Sequence, residues 1–217
     1  MQNTYRVHYF PNNGRACNIR ALLSVSKAKW ENEIIEMKDW PAVKATGKYE
    51  GGMVPALEVN GKLLSQTPAI ELYLARTFGL MGSNVEEEYQ ITNILGVRDD
   101  SFKNIFQVLM PNEEQKANQE GIIKNMKETM FPALLKNLER RFIENGAGKY
   151  FVGNKLTLAD IFLANTFAQF FESQMLKQFF SDLPEQYAPK ISAMIKALKQ
   201  ADLKEYFEKD YNHESMF

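Results

Sequence analysis

An Asn60-Gly61 dipeptide between two short apolar segments is the feature that most narrows the fold of this chain. The flanking segments, residues 56–59 and 62–65, each have the length and character of a β-strand. Asn-Gly tolerates the positive φ angles that a two-residue turn needs, so this pattern is a strong short-range indication of a β-hairpin. An antiparallel pair of strands is therefore expected within the first third of the chain.

The segment before the hairpin changes its hydrophobic period often. Residues 5–10 are rich in β-formers and predict a strand, and Asn13 is expected to cap a helix over residues 15–27. Glu33–Glu36 predicts a second strand, which makes a β-α-β unit with parallel strands. A short helix is expected in the polar stretch that follows, and another helix begins near Pro68. The order β-α-β-α-β-β-α is that of a thioredoxin-like domain.

The second half of the chain loses the strand signals near Val85. Thr157 and Asp160 have the spacing of a capping box, with aspartate in place of glutamate, and predict the start of an apolar helix. We predict an α/β thioredoxin-like domain at residues 1–79 and an all-α domain at residues 80–217, joined near residues 79–84. The expected helices of the second domain cover residues 86–110, 118–144, 161–171, 186–198 and 202–207.

Charge and composition exclude several classes of function. The 26 basic and 27 acidic residues are mixed along the chain, so neither nucleic acid nor an anionic membrane is an expected partner. The chain has no apolar run of about 20 residues for a membrane span, and its polar N-terminus is unlike a signal peptide. With one cysteine it forms no internal disulfide, which favours a reducing, cytoplasmic location.

Redox and metal chemistry are also disfavoured. Cys17 has no partner cysteine and lies inside the first predicted helix, so a disulfide reductase is not expected. The Cys17 side chain is instead expected to be buried in the core. His8 and His213 are the only histidines and are far apart in sequence, so no metal site is predicted.

A thioredoxin-like domain followed by an all-helical domain resembles the soluble glutathione transferases. Five groups of residues occur in the order that this family shows, and the resemblance covers nearly the whole chain. The combination of Trp40, Lys44 and Asp100 looks closest to the sigma class, which includes cephalopod enzymes and the haematopoietic prostaglandin D synthases. The groups are His8-Tyr9-Phe10 with Gly14-Arg15-Ala16, Asp39-Trp40-Pro41 with Lys44, Met53-Val54-Pro55-Ala56-Leu57, Ser65-Gln66-Thr67 with Ala69-Ile70, and Tyr73-Leu74-Ala75-Arg76 with Phe151-Val152-Gly153-Asn154 and Thr157-Leu158-Ala159-Asp160.

Tyr9 is the expected catalytic residue. A phenol keeps its proton at neutral pH and can donate it to sulfur, and a hydrogen bond to a charged acceptor contributes about 1.5–3 kcal/mol. One tyrosine could thus lower the pKa of a thiol by about 1–2 units. Taken alone, Tyr9 would more readily be read as an ordinary strand residue; the family pattern favours the catalytic interpretation.

The resemblance implies glutathione as co-substrate and a homodimer. A cis Val54-Pro55 bond would present backbone to the cysteinyl part, and the helix start at Gln66 and Thr67 would take the γ-glutamyl carboxylate. Asp100 would reach the glutathione ammonium across the dimer interface, although Asp99 beside it leaves the choice open. Thr67 departs from the family, which more usually has serine there. The implied glutathione-binding residues are Tyr9, Phe10, Arg15, Trp40, Lys44, Met53, Val54, Pro55, Gln66, Thr67 and Asp100.

The small hydrophobic electrophile is expected between the domains, with the tail His213–Phe217 as a cover. Its apolar wall is predicted from Phe10, Phe102, Phe106 and Met110. Two other functions stay open: a glutathione-dependent isomerase like the prostaglandin D synthases, and a non-catalytic binding or structural relative such as the S-crystallins. The first long helix lacks the tryptophan expected of a prostaglandin D synthase, and the retained glutathione-contacting residues favour an enzyme.

Overall fold

A computed structural model describes residues 3–211, except for the side chains of residues 97–103. The chain divides into two compact units. The first combines the described residues of Met1–Met81 with those of Lys199–Phe217, and the second is Gly82–Leu198. Throughout this described range, none of the helices pairs the length with the apolar character that crossing a bilayer requires.

The first unit contains, in its described part, one mixed sheet of four strands in the order β2-β1-β3-β4. Strand β1 pairs parallel with β2 and antiparallel with β3, and β3 pairs antiparallel with β4. Asn60 and Gly61 have φ angles of 50° and 85°, so both turn residues of the β3–β4 hairpin are in the left-handed region, as predicted. The elements are β1 (Tyr5–Tyr9), α1 (Cys17–Val25), β2 (Trp30–Ile34), α2 (Trp40–Ala45), β3 (Ala56–Val59), β4 (Lys62–Leu64) and α3 (Thr67–Thr77).

The core of this unit lies between the sheet and the facing helices α1 and α3. Val7 of β1 and Leu57 of β3 are fully buried on the sheet. The helices contribute apolar side chains at helical spacing, namely Ile19, Leu22 and Leu23 from α1 with Ile70 and Leu74 from α3, each at most 1% exposed. A π-helical turn at Tyr206–Asp210 also packs on α1, and the Tyr206 hydroxyl donates to the Cys17 carbonyl at 3.1 Å. Cys17 itself is buried, as predicted.

Three predictions in this unit, the bounds of one strand, the bounds of one helix and one cap, were wrong. The second strand is Trp30–Ile34 rather than Glu33–Glu36, because its register follows β1 residue by residue from Tyr5 to Tyr9. The helix predicted over 15–27 begins with a 3₁₀ turn at Gly14–Ala16 and ends at Val25. Asn13 precedes that turn in helical backbone geometry and makes no side-chain capping bond, so it is not the predicted cap.

The second unit is helical throughout its described part. Helix α4 is capped by Asn84, whose side chain accepts from the Glu87 N–H at 2.9 Å. A π-helical turn at Met126–Met130 joins α6 to α7, so the predicted 118–144 helix is nearly continuous. Every residue of α8 is buried, which makes it the central helix of the unit. The helices are α4 (Val85–Leu109), α5 (Glu113–Ala117), α6 (Gln119–Asn125), α7 (Phe131–Glu144), α8 (Leu158–Phe167), α9 (Lys177–Phe180), α10 (Leu183–Tyr187) and α11 (Pro189–Gln200).

Helix starts in this unit follow local chemistry. The predicted capping box is present: Asp160 accepts from the Thr157 backbone N–H at 2.8 Å and Thr157 caps α8. The helix predicted over 186–198 is present as α11, but its predicted start was wrong, because α10 ends at Tyr187 and α11 begins at Pro189. Ala188 between them is non-helical, since a residue before proline is pushed out of helical geometry.

Candidate active site

Tyr9 is the last residue of β1 and lies where that strand ends beside the loop to α1. It is 7% exposed, and its hydroxyl oxygen accepts the Arg15 backbone N–H at 3.1 Å. That bond occupies the oxygen and leaves the hydroxyl proton available for donation. Burial raises the pKa of Tyr9 above its ordinary value, with the Arg15 N–H opposing the change, so the phenol stays protonated at neutral pH.

Gly14 allows the approach of Tyr9 to the loop. Its φ is +37°, and a Cβ built on it would lie 2.6 Å from the Tyr9 hydroxyl oxygen. Real side-chain carbons do not come that close, so only glycine fits here without displacing the phenol. The glycine and the Arg15 N–H together fix where the Tyr9 hydroxyl sits.

Arg20 on α1 stabilises the same loop by hydrogen bonds to its backbone carbonyls. Its guanidinium donates to the Phe10 carbonyl at 3.2 Å, to the Asn12 carbonyl, and to the Asn32 side-chain oxygen at 2.9 Å. The guanidinium carbon lies 5.8 Å from the centre of the Tyr9 ring, within cation–π range. Burial lowers the pKa of Arg20, but an arginine remains charged, so a fixed positive charge lies under the ring.

A small cleft of about 60 Å³ opens beside Arg15 in the first unit. Six of the predicted glutathione-binding residues line it, and they come from three separate parts of the chain. The Val54-Pro55 bond is cis, as predicted, and precedes β3. The lining residues are Arg15, Glu50, Met53, Val54, Pro55, Ser65, Gln66, Thr67 and Pro68.

The N-terminus of α3 faces this cleft. Thr67 is the first helical residue and is buried, with Pro68 next, and no side-chain hydrogen bond caps the helix at Gln66. The uncapped first-turn amides and the helix dipole favour an anion there. Gln66 itself has φ 68° and ψ 106°, a backbone geometry that costs about 1–3 kcal/mol for a residue other than glycine.

Trp40 and Lys44 begin and continue α2, one turn apart, so their side chains share a face of that helix. The Trp40 ring packs edge-on against Phe10, with centroids 5.6 Å apart. The Lys44 aliphatic stem lies over Gly52, where a Cβ would be 2.8 Å from the Lys44 Cε. The indole and the ammonium are therefore held beside the loop that leads to Val54.

The remaining predicted site residues belong to the second unit or lie outside the described residues. Phe106 is half-buried and Met110 is 66% exposed, and both belong to the second unit. Asp100 and Phe102 lie on α4 among the side chains that the structure does not describe, as does Asp99, and the tail 213–217 lies outside the described residues. Their predicted roles stay predictions.

Comparison with known proteins identifies the family. The family model for the glutathione S-transferase N-terminal domain matches residues 5–76, and the model for the C-terminal domain of the same enzymes matches residues 99–210. This chain belongs to the glutathione S-transferase family. Its fold, with a four-stranded mixed sheet in the described part of the first unit and helices in the second, is the glutathione transferase fold.

Relatives of this transferase carry related names. The class-mu 28 kDa glutathione S-transferase of Schistosoma mansoni is 34% identical over 163 residues, or 73% of this chain and 74% of that protein. The hematopoietic prostaglandin D synthase of Gallus gallus is 35% identical over 73% of this chain and 75% of its own length. Among solved structures, the Fasciola hepatica sigma-class transferase is 32% identical, with a TM-score of 0.82 over 97% of this chain and 98% of its own.

Three residues of the transferase site were not foreseen from the sequence. Arg20 carried a signal, since an arginine stands within an otherwise apolar helix face between Ile19 and Leu22. Glu50 and Ser65 hydrogen-bond to each other at the cleft. Glu50 stands in a polar, glycine-containing stretch, and Ser65 ends the segment that predicts the second strand of the hairpin. No local pattern could have paired them across the intervening hairpin.

Proposed function

We propose that this chain is a sigma-like, cytoplasmic, homodimeric glutathione S-transferase that conjugates glutathione to small hydrophobic electrophiles, with Tyr9 donating its hydroxyl proton to the glutathione thiolate. The observation that carries the proposal is the Tyr9 hydroxyl: buried, protonated, and held by the Arg15 N–H at 3.1 Å beside a cleft lined by Val54 and Thr67. The sigma-class assignment is supported by the Fasciola hepatica structure.

The cleft suits the chemistry of glutathione. The uncapped start of α3 provides amides and a dipole for a carboxylate, and Arg15, which lines the same cleft, carries a positive charge. The backbone of Val54 next to the cis proline offers polar groups for an extended peptide. Trp40 and Lys44 provide an indole N–H and an ammonium for a second carboxylate. A tripeptide with a carboxylate at each end and a thiol between matches this arrangement.

Catalysis by this arrangement consists mainly of thiolate stabilisation and positioning. A free thiol has a pKa of about 8.5 and is only a few per cent thiolate at neutral pH. A hydrogen bond from Tyr9 contributes about 1.5–3 kcal/mol when its acceptor is charged, which lowers that pKa by about 1–2 units. The thiolate, a soft nucleophile, is then held where an electrophile can approach it.

The test is glutathione consumption with a chloronitrobenzene electrophile across pH, comparing wild type with Tyr9→Phe. The matched control is Tyr5→Phe, because Tyr5 lies on the same strand and face and is 5% exposed. Tyr9→Phe should lose about 10–100-fold in kcat/KM near neutral pH and move the pH profile upward by about 1–2 units. An unshifted pH profile in Tyr9→Phe, or an equal loss in Tyr5→Phe, would contradict the role of Tyr9.

A glutathione-dependent isomerase is the second candidate. The 35% identity to the chicken protein named hematopoietic prostaglandin D synthase favours it. An isomerase returns glutathione unchanged, so a panel of endoperoxides and other isomerisable substrates separates the two activities. Product formation without loss of free thiol would support isomerisation, whereas stoichiometric thiol loss would support conjugation.

A further inference from the structure

A buried apolar cluster packs against Trp40 and against Val54, which lines the cleft. Its buried members are Ile35, Tyr49 and Ala56, and Phe10, Trp40, Val43, Val54 and Leu63 pack against them. The Tyr49 ring centroid is 6.0 Å from that of Trp40, and the Trp40 centroid is 5.6 Å from that of Phe10. Three residues of the proposed glutathione site thus rest on one cluster, so the position of the Tyr49 ring bears directly on Trp40.

Tyr49 is tethered by a buried histidine. His8 is fully buried, and its Nδ1 lies 3.0 Å from the Tyr49 hydroxyl, while its Nε2 lies 3.2 Å from a Glu58 carboxylate oxygen. The His8 and Tyr49 rings also meet edge to face, with centroids 5.7 Å apart. Both nitrogens of the imidazole are therefore committed to partners, and Tyr49, 5% exposed, has its buried hydroxyl satisfied.

The chemistry of the three groups fixes the direction of these bonds. A carboxylate only accepts, so the Nε2–H of His8 donates to Glu58, and Nδ1 accepts from the Tyr49 hydroxyl. Burial lowers the pKa of His8, and the positive charge of Lys48 lowers it further, which keeps the imidazole neutral at neutral pH. A neutral imidazole has one donor and one acceptor, and the Tyr49–His8–Glu58 hydrogen bonds, called the relay below, use each once.

We propose that His8 is a positioning residue for glutathione binding, acting with Glu58 to hold the Tyr49 ring under Trp40. The inference rests on the proposed function, because the hydrogen bonds of His8 affect glutathione only through Trp40, which that function assigns to the glutathione site. A phenylalanine at position 49 would fill the same volume but would be free to slide. The directional bond to His8 selects one placement of the ring, and through it one placement of the indole.

The test uses Trp40 as its own reporter. Trp30→Phe leaves Trp40 as the one tryptophan in the chain, and Tyr49→Phe in that background removes the hydroxyl while keeping the ring. The matched control is Tyr187→Phe, which removes a tyrosine hydroxyl in the second unit. Three quantities are measured: acrylamide quenching of Trp40 without ligand, the Kd of glutathione by calorimetry, and kcat with KM for glutathione.

In Tyr49→Phe we expect Kd and KM for glutathione to rise about 3–10-fold, with kcat within about twofold of the parent, because only ground-state positioning is lost. Quenching of Trp40 should increase, and Tyr187→Phe should change none of these quantities. Unchanged Kd and quenching in Tyr49→Phe would overturn the tether alone. A Trp30→Phe parent that binds no glutathione would overturn the proposed function and the tether together.

A second variant separates the positioning role from the stability cost of leaving His8 Nδ1 without a hydrogen-bond donor in Tyr49→Phe. The double variant His8→Leu with Tyr49→Phe leaves neither polar partner unpaired between these two positions, so it should recover most of any stability lost in the single variant. If the relay positions Trp40, the Kd and Trp40 quenching of the double variant stay raised. Return of both to parental values along with the thermal midpoint would show that His8 matters only for stability.

Discussion

Replacement of Gly14 by alanine tests directly whether the position of the Tyr9 hydroxyl governs activity. The added Cβ would lie 2.6 Å from the Tyr9 oxygen, 3.1 Å from its Cε1 and 3.0 Å from the Asn12 side-chain oxygen. Ordinary contact begins near 3.4 Å, so the phenol or the loop must move by roughly 0.8 Å. Such a shift breaks the 3.1 Å bond from the Arg15 N–H and re-aims the hydroxyl.

The size of the effect follows from two contributions. A left-handed backbone costs about 1–2 kcal/mol for alanine relative to glycine, which lowers the free energy of unfolding. Displacement of the hydroxyl removes most of the about 1.5–3 kcal/mol that its hydrogen bond to the charged glutathione thiolate would contribute. We therefore expect Gly14→Ala to lose about 10–100-fold in kcat/KM near neutral pH, with an upward shift of the pH profile.

The assay combines the pH dependence of kcat/KM with urea unfolding. The control is Gly79→Ala, because Gly79 also has a positive φ, 70°, but an added Cβ there meets nothing within 4 Å. The control should lose stability and keep its pH profile. The reasoning is refuted if Gly14→Ala retains the wild-type profile, or if the two alanine variants lose activity equally.

Three further predictions follow from the buried groups and strained backbone. Asp160→Asn should lower the free energy of unfolding by about 2–4 kcal/mol, because the carboxylate accepts from the Phe151 and Thr157 N–H groups at 2.7 and 2.8 Å. Burial raises the pKa of Asp160 to about 6, so its folded pKa exceeds the unfolded one. In urea titrations the free energy of unfolding of wild type relative to Asp160→Asn should therefore increase as pH falls through about 6 and level off below about 4. A difference in free energy between the two proteins that narrows as pH falls would contradict this. Gln66→Gly should raise the free energy of unfolding by about 0.5–1 kcal/mol while raising KM for glutathione, and a loss of stability in urea would contradict the strain at this residue. Arg20→Lys should lose about 1–3 kcal/mol of stability, since lysine cannot serve the three acceptors with a planar fork; a Lys variant with wild-type urea midpoint and activity would contradict the role of Arg20.

Local patterns predicted those parts of the fold that local chemistry determines. The β3–β4 hairpin follows from Asn60-Gly61, and the start of α8 follows from Thr157 and Asp160. Strand β2 was misplaced because all but its first residue are exposed, so its side chains carry no burial alternation, and its bounds come from pairing with β1. A pattern cannot report a register that the partner strand imposes.

The site divides in the same way between what motifs carry and what the fold supplies. Tyr9, Pro55 and Thr67 were predicted because each occupies a recognisable place in a motif. Arg20 and His8 were not, since their partners lie 8 to 50 residues away in sequence and only the folded sheet and loop bring them together. Polar residues inside an apolar pattern are the one sign that the sequence offers for such contacts.

The positive φ angles of the first unit support this division. Among those that flank the cleft or the Tyr9 hydroxyl are Gly14, Gly51 and Gln66. Glycine at the first two is readable from sequence, but glutamine gives no sign that its backbone will be left-handed. A fold under selection for stability alone would place glycine or asparagine at position 66. A strained glutamine that lines the cleft is consistent with the glutathione-binding role proposed for Gln66, because backbone strain persists where a function requires it.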